Sequence, residues 1–210
     1  MTDDQVYIAG WKTAADWARF RETLVVSGDR EPWHTALVEY FRPRLTLRYF
    51  NPIRLLQEHG TFQGEGFSIL AIQCTLIEFL EATVQGISYR FLRRGERPGP
   101  YEYTSSSDVF VSFLRNRRPF ATHFQDDAIA RDFYVGIRCG LLHEARTKNG
   151  WRIWARSPDG AVINRDKQLV YRDDFQVALN EFVSWYEAAL PAAPDLQEAF
   201  IRKFNGLCQP

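Results

Sequence analysis

Cysteine is scarce in this sequence, and it is not arranged in a disulfide or metal-binding pattern. The chain of 210 residues contains three cysteines, Cys74, Cys139 and Cys208, which are far apart and include no Cys-x-x-Cys pair. An odd number of widely spaced cysteines indicates neither a disulfide framework nor a cysteine zinc site. We therefore expect the protein to work in a reducing, cytoplasmic setting.

An excess of charge is also absent. The 26 basic residues balance 26 acidic ones, so the overall field does not favour general binding to nucleic acid or to membranes. An anionic partner must then be held by a local patch. The N-terminal stretch MTDDQVYIAGWK is acidic and lacks the apolar segment of a signal peptide. We expect a soluble protein with no membrane-spanning segment and no membrane partner.

Motifs of the common metal- and nucleotide-dependent enzymes are missing. His143 and Glu144 begin a zincin-like stretch, but the position of the second histidine is Thr147. The GEGFSI stretch has Ile69 where a dinucleotide fingerprint has its third glycine. The sequence has no GxxxxGK phosphate loop and no GxSxG nucleophile elbow. We expect no metal ion and no cofactor.

Apolar residues recur at helical spacing along most of the chain, up to about residue 150. Asn51 and Pro52 suit the start of a short helix that ends at Gly60, and acidic residues suit a helix start near Asp126 or Asp127. The patterns predict helices that begin near Trp11, around Ala36–Phe41, over Asn51–Gly60, over the apolar stretch Phe67–Gly86, from Ser107 or Asp108 to Asn116, and from Asp126 or Asp127 past Leu141.

The pattern changes to short β segments after Gly150. WRIWAR and AVIN are separated by the turn residues SPDG, which predicts a hairpin over about Trp151–Asn164, with QLVYR as a candidate third strand. Asp173 is the expected N-cap of a long helix that stops at Pro191, and a last helix is expected near Pro194–Phe204.

The predicted fold is mainly α, a helical bundle with a small β-hairpin inserted before its last long helix. We expect one domain, with residues 1–60 as an N-terminal helical extension, residues 67–190 as the bundle, and residues 191–210 as a C-terminal helix.

The stretch RCGLLHEA places Arg138 and His143 in a strongly apolar run. On an ideal helix the two would lie about 140° and about 7.5 Å apart, so they could not share one face. Two geometries could bring such residues together, namely a helix distortion near Gly140 or a second copy of the helix related by a two-fold axis. A satisfied core histidine and a structural arginine form the alternative interpretation.

The spacing of Arg138 and His143, late in the third major helix of an α bundle, resembles the R-x4-6-H motif of the HEPN superfamily (higher eukaryotes and prokaryotes nucleotide-binding domains). The resemblance covers roughly residues 67–190. It implies a HEPN-like bundle, a homodimer with a composite site at its interface, and, in many members, metal-independent endoribonuclease activity in toxin–antitoxin or antiviral defence systems. The corresponding expected partners are RNA and an antitoxin protein. Catalytic members commonly carry Asn, Asp or His after the arginine, where this chain has Cys139.

The residue types fit this chemistry, because RNA cleavage without a metal needs groups that transfer protons and a cation that stabilises the phosphorane. The candidate catalytic residues are His143 for proton transfer and Arg138 for charge stabilisation. The candidate substrate-binding residues are Tyr134, Cys139, Glu144, Arg146, Lys148 and Arg152. A non-catalytic nucleotide-binding or protein-interaction dimer stays open as the alternative. Two further basic clusters, one with Arg42, Arg44 and Arg48 and one with Arg115, Arg117 and Arg118, are interpreted mainly as surface arginines.

Overall fold

The helical periodicity of the sequence is realised over most of the chain. The computed structural model describes residues 6–61 and 63–209. The α-helices are α1 (Ala14–Arg21), α2 (Glu31–Ala36), α3 (Arg42–Leu45), α4 (Asn51–His59), α5 (Glu65–Gln85), α6 (Ser106–Asn116), α7 (Asp127–Phe133), α8 (Gly140–Glu144), α9 (Arg172–Ala189) and α10 (Pro194–Leu207). The strands are β1 (Tyr7–Ala9), β2 (Lys12–Thr13), β3 (Ser88–Tyr89), β4 (Glu102–Tyr103), β5 (Arg152–Trp154), β6 (Ile163–Asn164) and β7 (Leu169–Tyr171). The prediction of a mainly α helical bundle is confirmed.

The chain forms two compact units. The first comprises the described residues up to Pro52, Ala82–Thr104 and the described residues from Tyr186 onward; the second comprises Ile53–Glu81 and Ser105–Trp185. Helices α4, α5 and α9 contribute residues to both. The division of the chain into an extension, a bundle and a C-terminal helix within one domain stays a prediction.

The first unit has an aromatic core around Trp17. This buried ring lies 5.2 Å from the rings of Tyr40 and Phe204, between centroids, and 6.0 Å from that of Phe200. A reciprocal capping box between Thr13 and Asp16 starts α1 directly after β2. The helix predicted from Trp11 therefore begins three residues later.

Helical structure is continuous from Glu31 to His59, with π segments at Leu37–Phe41 and Thr46–Phe50. Each π segment precedes a proline, Pro43 or Pro52, whose ring would clash with the carbonyl four residues earlier in a regular α-helix. The wider turn relieves this clash. The prediction of Asn51 as an N-cap is wrong, because its φ of −62° and ψ of −47° are helical.

The second unit packs α6, α7 and α9 through buried phenylalanines. The ring of Phe113 lies 4.7 Å from that of Phe182 on α9 and 5.2 Å from that of Phe120. Phe133 stacks on Phe175 with 5.9 Å between centroids. The predicted helix start is confirmed at Asp126, whose side chain accepts a hydrogen bond from the Ile129 N–H at 2.8 Å.

The predicted hairpin over Trp151–Asn164 is wrong in its pairing. The strand order is β5-β7-β6: β5 pairs with β7 in parallel, and β6 and β7 form the antiparallel hairpin. All three residues of β7 are buried, which is typical of a central strand covered on both faces. Strand β7 leads directly into α9, so Asp173 lies in the first helical turn and is not an N-cap, as its N–H bonds to the Ala155 carbonyl at 2.9 Å.

Helix α5 is the one helix in residues 6–61 and 63–209 whose length and apolar composition would suit a membrane span. Its most apolar window is 61% buried within the protein. Burial of this kind is typical of a helix at the centre of a protein core.

Candidate active site around Arg138 and His143

The helix that carries the Arg138–His143 motif is distorted in its middle. A π segment, Tyr134–Cys139, separates α7 from α8. The Gly140 N–H bonds to the carbonyls of Val135 and Ile137. A π turn contains more residues than an α turn, so residues beyond it are rotated around the axis relative to an ideal helix. A distortion near Gly140, one of the two geometries considered for the pair, is therefore present, and the ideal-helix angle between Arg138 and His143 does not apply.

Two glycines allow the chain that follows the helix to fold back onto it. Ala145 ends α8 in the left-handed region with φ 52°. The Lys148 N–H then bonds to the Gly136 carbonyl at 2.7 Å, and the Arg146 N–H bonds to the Gly140 carbonyl at 3.3 Å. A Cβ at Gly140 would lie 2.5 Å from the Arg146 carbonyl oxygen. Glycine at this position is thus required by a close backbone approach.

The returning loop is fixed by Trp151. Its buried indole lies 5.2 Å from the Phe133 ring, between centroids, and its Nε1–H donates to Asp132 Oδ2 at 2.8 Å. A Cβ at Gly136 would approach Trp151 Cδ1 to 2.5 Å. The helix and its following loop therefore form one packed substructure around the motif.

Arg138 is held by a carboxylate that the sequence interpretation missed. Its Nε–H donates to Glu78 Oε1 of α5 at 2.8 Å, and both side chains are mostly buried. Burial disfavours the charge, but Glu78 outweighs it, so the pKa of Arg138 is raised above its usual value. The Nη1 and Nη2 groups have no hydrogen-bond partner within the described residues, so they can donate to a ligand. A guanidinium that is held through Nε and has Nη1 and Nη2 available is suited to bind a phosphate group.

Glu78 had a signal in the sequence. The stretch Phe67–Gly86 is nearly all apolar and contains two carboxylates, Glu78 and Glu81. A charge in such a helix requires a partner, and each has an arginine: Arg138 for Glu78 and Arg117 for Glu81. The pairing of specific residues was not visible in the local pattern.

Tyr134 packs against the arginine. The Arg138 Cζ lies 5.5 Å from the centroid of the Tyr134 ring, and the Phe110 ring meets Tyr134 edge-on at 5.4 Å. Burial raises the pKa of Tyr134 to about 12, so its hydroxyl is neutral at pH 7. Cys139, five positions further along the chain, also raises the pKa of Tyr134, as the π turn allows. Tyr134 thus positions the guanidinium.

Two cysteines lie at this site with different surroundings. Cys74 is buried in α5, and burial raises the pKa of its thiol far above the usual value. A buried neutral thiol is not a nucleophile. Cys139 is half-buried, directly after Arg138.

His143 is exposed on α8. It makes no hydrogen bond or ion pair to any residue that the structure describes. The interpretation of His143 as a satisfied core residue is therefore wrong. Val135 and Leu142, which are 45% and 42% exposed, lie on the same helix, so apolar surface accompanies the histidine.

The three cations among the candidate substrate-binding residues each have a partner within the protein. Glu144 binds both Arg146, at 2.7 Å, and Lys148. Hydrogen bonds from these two cations lower the pKa of Glu144. Arg152 lies on β5 and donates to the Lys167 carbonyl at 3.1 Å. Tyr134, Arg138, Cys139 and His143 therefore lie along one helix. Glu144, the last residue of that helix, forms a charge cluster with Arg146 and Lys148 of the following loop, and Arg152 belongs to the sheet.

The other basic clusters have mainly structural contacts. Arg42 pairs with Glu187 at 2.7 Å, Arg44 is buried and donates to the Ile8 carbonyl at 2.6 Å, and Arg48 donates to the Tyr7 carbonyl at 2.8 Å. The interpretation of Arg44 as a surface residue is wrong.

No group of three or more His, Cys, Asp or Glu side chains is placed to hold a metal ion within residues 6–61 and 63–209. The chain matches no protein-family model, no curated protein and no solved structure.

Proposed function

We propose that this chain is a HEPN-like, metal-independent endoribonuclease that acts through Arg138 and His143. The observation that carries the proposal is the combination of an exposed histidine that makes no hydrogen bond or ion pair to the described residues and an arginine on the same helix whose two Nη groups bond to none of them. Phosphoryl transfer needs a proton-transfer group and a fixed cation near the phosphate, and these two residues supply them.

In the proposed reaction, neutral His143 takes the proton of a ribose 2'-hydroxyl, and the resulting oxygen attacks the adjacent phosphorus. The Nη groups of Arg138 stabilise the charge of the phosphorane. The bond to the 5'-oxygen then breaks, and that oxygen takes a proton. The products are a 2',3'-cyclic phosphate and a 5'-hydroxyl.

One copy of the chain supplies one histidine to this site, whereas the reaction needs both a base and an acid. We therefore propose a homodimer in which His143 of a second copy protonates the leaving oxygen. The exposed Val135 and Leu142 support an interface at this helix. Cytoplasmic action in stress or phage defence, with an antitoxin as partner, belongs to the same proposal through the HEPN resemblance.

The test is incubation of the chain with total RNA in EDTA, with analysis of the new RNA ends. Wild type should leave 2',3'-cyclic phosphates, and His143→Ala should reduce the rate by about 10²–10⁴-fold. Exposed His34→Ala is the matched control and should cleave like wild type. Intact RNA with wild type, or full activity of His143→Ala, would show that the assignment is wrong.

The dimer is tested separately. Sedimentation at micromolar concentration should give twice the chain mass of 24.5 kDa. A purified heterodimer of wild type and His143→Ala should lose most of its activity, because the attacking and leaving oxygens lie on opposite sides of the phosphorus and one histidine cannot reach both. Retention of half the activity would show that each histidine works alone.

The alternative is a non-catalytic HEPN-like module that binds a nucleotide or a protein. The Arg138–Glu78 ion pair and Cys139 favour it, because an arginine already paired with a carboxylate can serve stability alone. In that case Arg138→Ala unfolds the protein or dissociates the dimer, and wild type never cleaves RNA. Arg138→Lys separates a structural role of this residue from a catalytic one, because lysine keeps the positive charge that faces Glu78 and loses the planar fork of donors.

A further inference from the structure

A groove in the second unit lies between the C-terminal end of α6 and α9, and none of its residues belongs to the candidate active site. Its volume is about 500 Å³, and its walls include Arg117, Arg118, Pro119, Glu181, Phe182 and Trp185. This volume lies within the usual range of small-molecule sites, about 300–1,000 Å³. We call it the Trp185 groove.

The wall formed by α9 offers an aromatic surface. The Trp185 side chain is 48% exposed, although it is a large apolar residue, and Phe182 beneath it is almost fully buried, with 5.4 Å between the ring centroids. Pro119 adds apolar surface on the opposite element of the groove. An exposed indole over an apolar base is suited to stack a planar ring.

The turn after α6 supplies a cation that is not paired with any of the described residues. Arg115 pairs with Asp127 at 3.0 Å, and Arg117 binds the fully buried Glu81 through two hydrogen bonds of 2.8 and 3.1 Å. Arg118 is exposed and makes no hydrogen bond or ion pair within the described residues. Of the three arginines in this segment, Arg118 thus has its whole fork of donors available for an anionic group.

Hydrogen-bond acceptors complete the lining. The Glu181 carboxylate is exposed and makes no hydrogen bond or ion pair in the part of the chain that the structure describes. Asn116 donates through Nδ2 to Ser112 at 3.3 Å, which leaves its Oδ1 as an acceptor. The groove therefore joins an aromatic surface, a cation and acceptors for N–H or O–H groups.

We propose that the Trp185 groove binds a nucleotide: the base stacks on Trp185, the phosphate binds Arg118, and Glu181 accepts a hydrogen bond from an amino group of the base. A free nucleotide and a single-stranded RNA both contain a base joined to a phosphate, so either could supply this ligand. This proposal does not depend on RNA cleavage at His143, because it concerns binding alone.

The test uses calorimetric titration of full-length His143→Ala protein, which prevents any cleavage, with 5'-AMP and with adenosine. AMP should bind. Arg118→Ala should lower the affinity for AMP by about tenfold and leave the affinity for adenosine unchanged, because adenosine has no phosphate that the guanidinium could contact. Trp185→Leu should weaken both ligands by about tenfold through the loss of stacking.

Two matched controls lie elsewhere in the same unit. Trp154 is 54% exposed and Arg156 is exposed, and neither lines the groove. Trp154→Leu and Arg156→Ala should therefore bind AMP like the parent protein. Circular dichroism checks the fold of each variant, and Trp185→Phe, which keeps a stacking ring and should lose less affinity than the leucine variant, replaces Trp185→Leu if the latter does not fold.

Titration with a five-nucleotide 2'-O-methyl oligoadenylate distinguishes a single-stranded RNA from a free nucleotide as the ligand. At least tenfold tighter binding than AMP, sensitive to Arg118→Ala, assigns the groove to an RNA strand; equal affinity assigns it to a free nucleotide. The proposal is wrong if neither ligand binds, or if the Trp185 and Arg118 variants bind as well as their controls. It is also wrong if a lysine peptide binds through Trp185 and Glu181 while AMP does not.

Discussion

The Arg138 Nε–H donates to Glu78 Oε1 at 2.8 Å and so joins two helices whose paired residues are 60 positions apart in the sequence. The pair fixes the guanidinium from one side and leaves Nη1 and Nη2 available. Replacing Glu78 therefore tests whether Arg138 is a positioned catalytic cation or a structural one.

Replacing Glu78 by glutamine should lower the free energy of unfolding by about 1–2 kcal/mol, because the partly buried guanidinium keeps an acceptor but loses the opposite charge. Urea unfolding measures this. Glu58→Gln removes the same charge from an exposed pair with Arg54 and should cost less than about 0.5 kcal/mol. Equal losses would contradict the special role of Glu78. If RNA is cleaved, Glu78→Gln should also slow cleavage by about tenfold through loss of orientation.

Arg117→Ala should destabilise the protein by about 3 kcal/mol, because Glu81 is fully buried and loses two charge-assisted hydrogen bonds. The adjacent Arg118→Ala is the control and should change the free energy of unfolding by less than about 0.5 kcal/mol. Thermal and urea unfolding of both variants provide the comparison. A similar stability for the two would show that the buried pair contributes little.

Gly136→Ala should destabilise the protein by about 1–3 kcal/mol, although alanine is the better helix former by about 1 kcal/mol. The new Cβ would lie 2.5 Å from Trp151 Cδ1 and 3.1 Å from the Lys148 carbonyl oxygen, so the loop has to move. Val135→Ala, at the neighbouring exposed position, should have an effect below about 1 kcal/mol. A stabilised Gly136→Ala variant would mean that the loop does not pack on the helix as described.

Stability should fall below pH 6.5 through His123. Burial lowers the pKa of His123 in the folded protein below its ordinary 6.5, while Asp159 opposes this shift. Between the lowered pKa of His123 in the folded protein and its ordinary value in the unfolded chain, the unfolded state binds more protons than the folded state. The free energy of unfolding therefore rises with pH across that window and decreases as the pH falls through it.

His123→Gln should therefore flatten the pH dependence between pH 5 and pH 7. Asp159→Asn should steepen it, because the pKa of His123 then falls further. Urea unfolding at a series of pH values measures both effects. An unchanged slope in His123→Gln would assign the pH dependence to other groups.

The sequence by itself determined the helical elements, because helix periodicity and end signals are local. The start of α7 next to its N-cap Asp126, the end of α4 before Gly60 and the stop of α9 before Pro191 were all predicted. Arg138 and His143 were also identifiable, because an arginine and a histidine in an apolar run are conspicuous without a structure. A helix distortion near Gly140 could be anticipated, but the loop that packs against this glycine could not.

Only the tertiary structure decided which distant groups meet. Strand β5 pairs with β7 and not with β6, so that the buried β7 lies between them. The turn residues between β5 and β6 cannot reveal that β7 takes this central position. The packing of α5 against the π segment after α7 pairs Glu78 with Arg138, and its packing against the end of α6 pairs Glu81 with Arg117. The same fold leaves Arg118 without a hydrogen bond or ion pair in residues 6–61 and 63–209. Such pairings depend on three-dimensional distance and burial, which periodicity in one dimension does not encode.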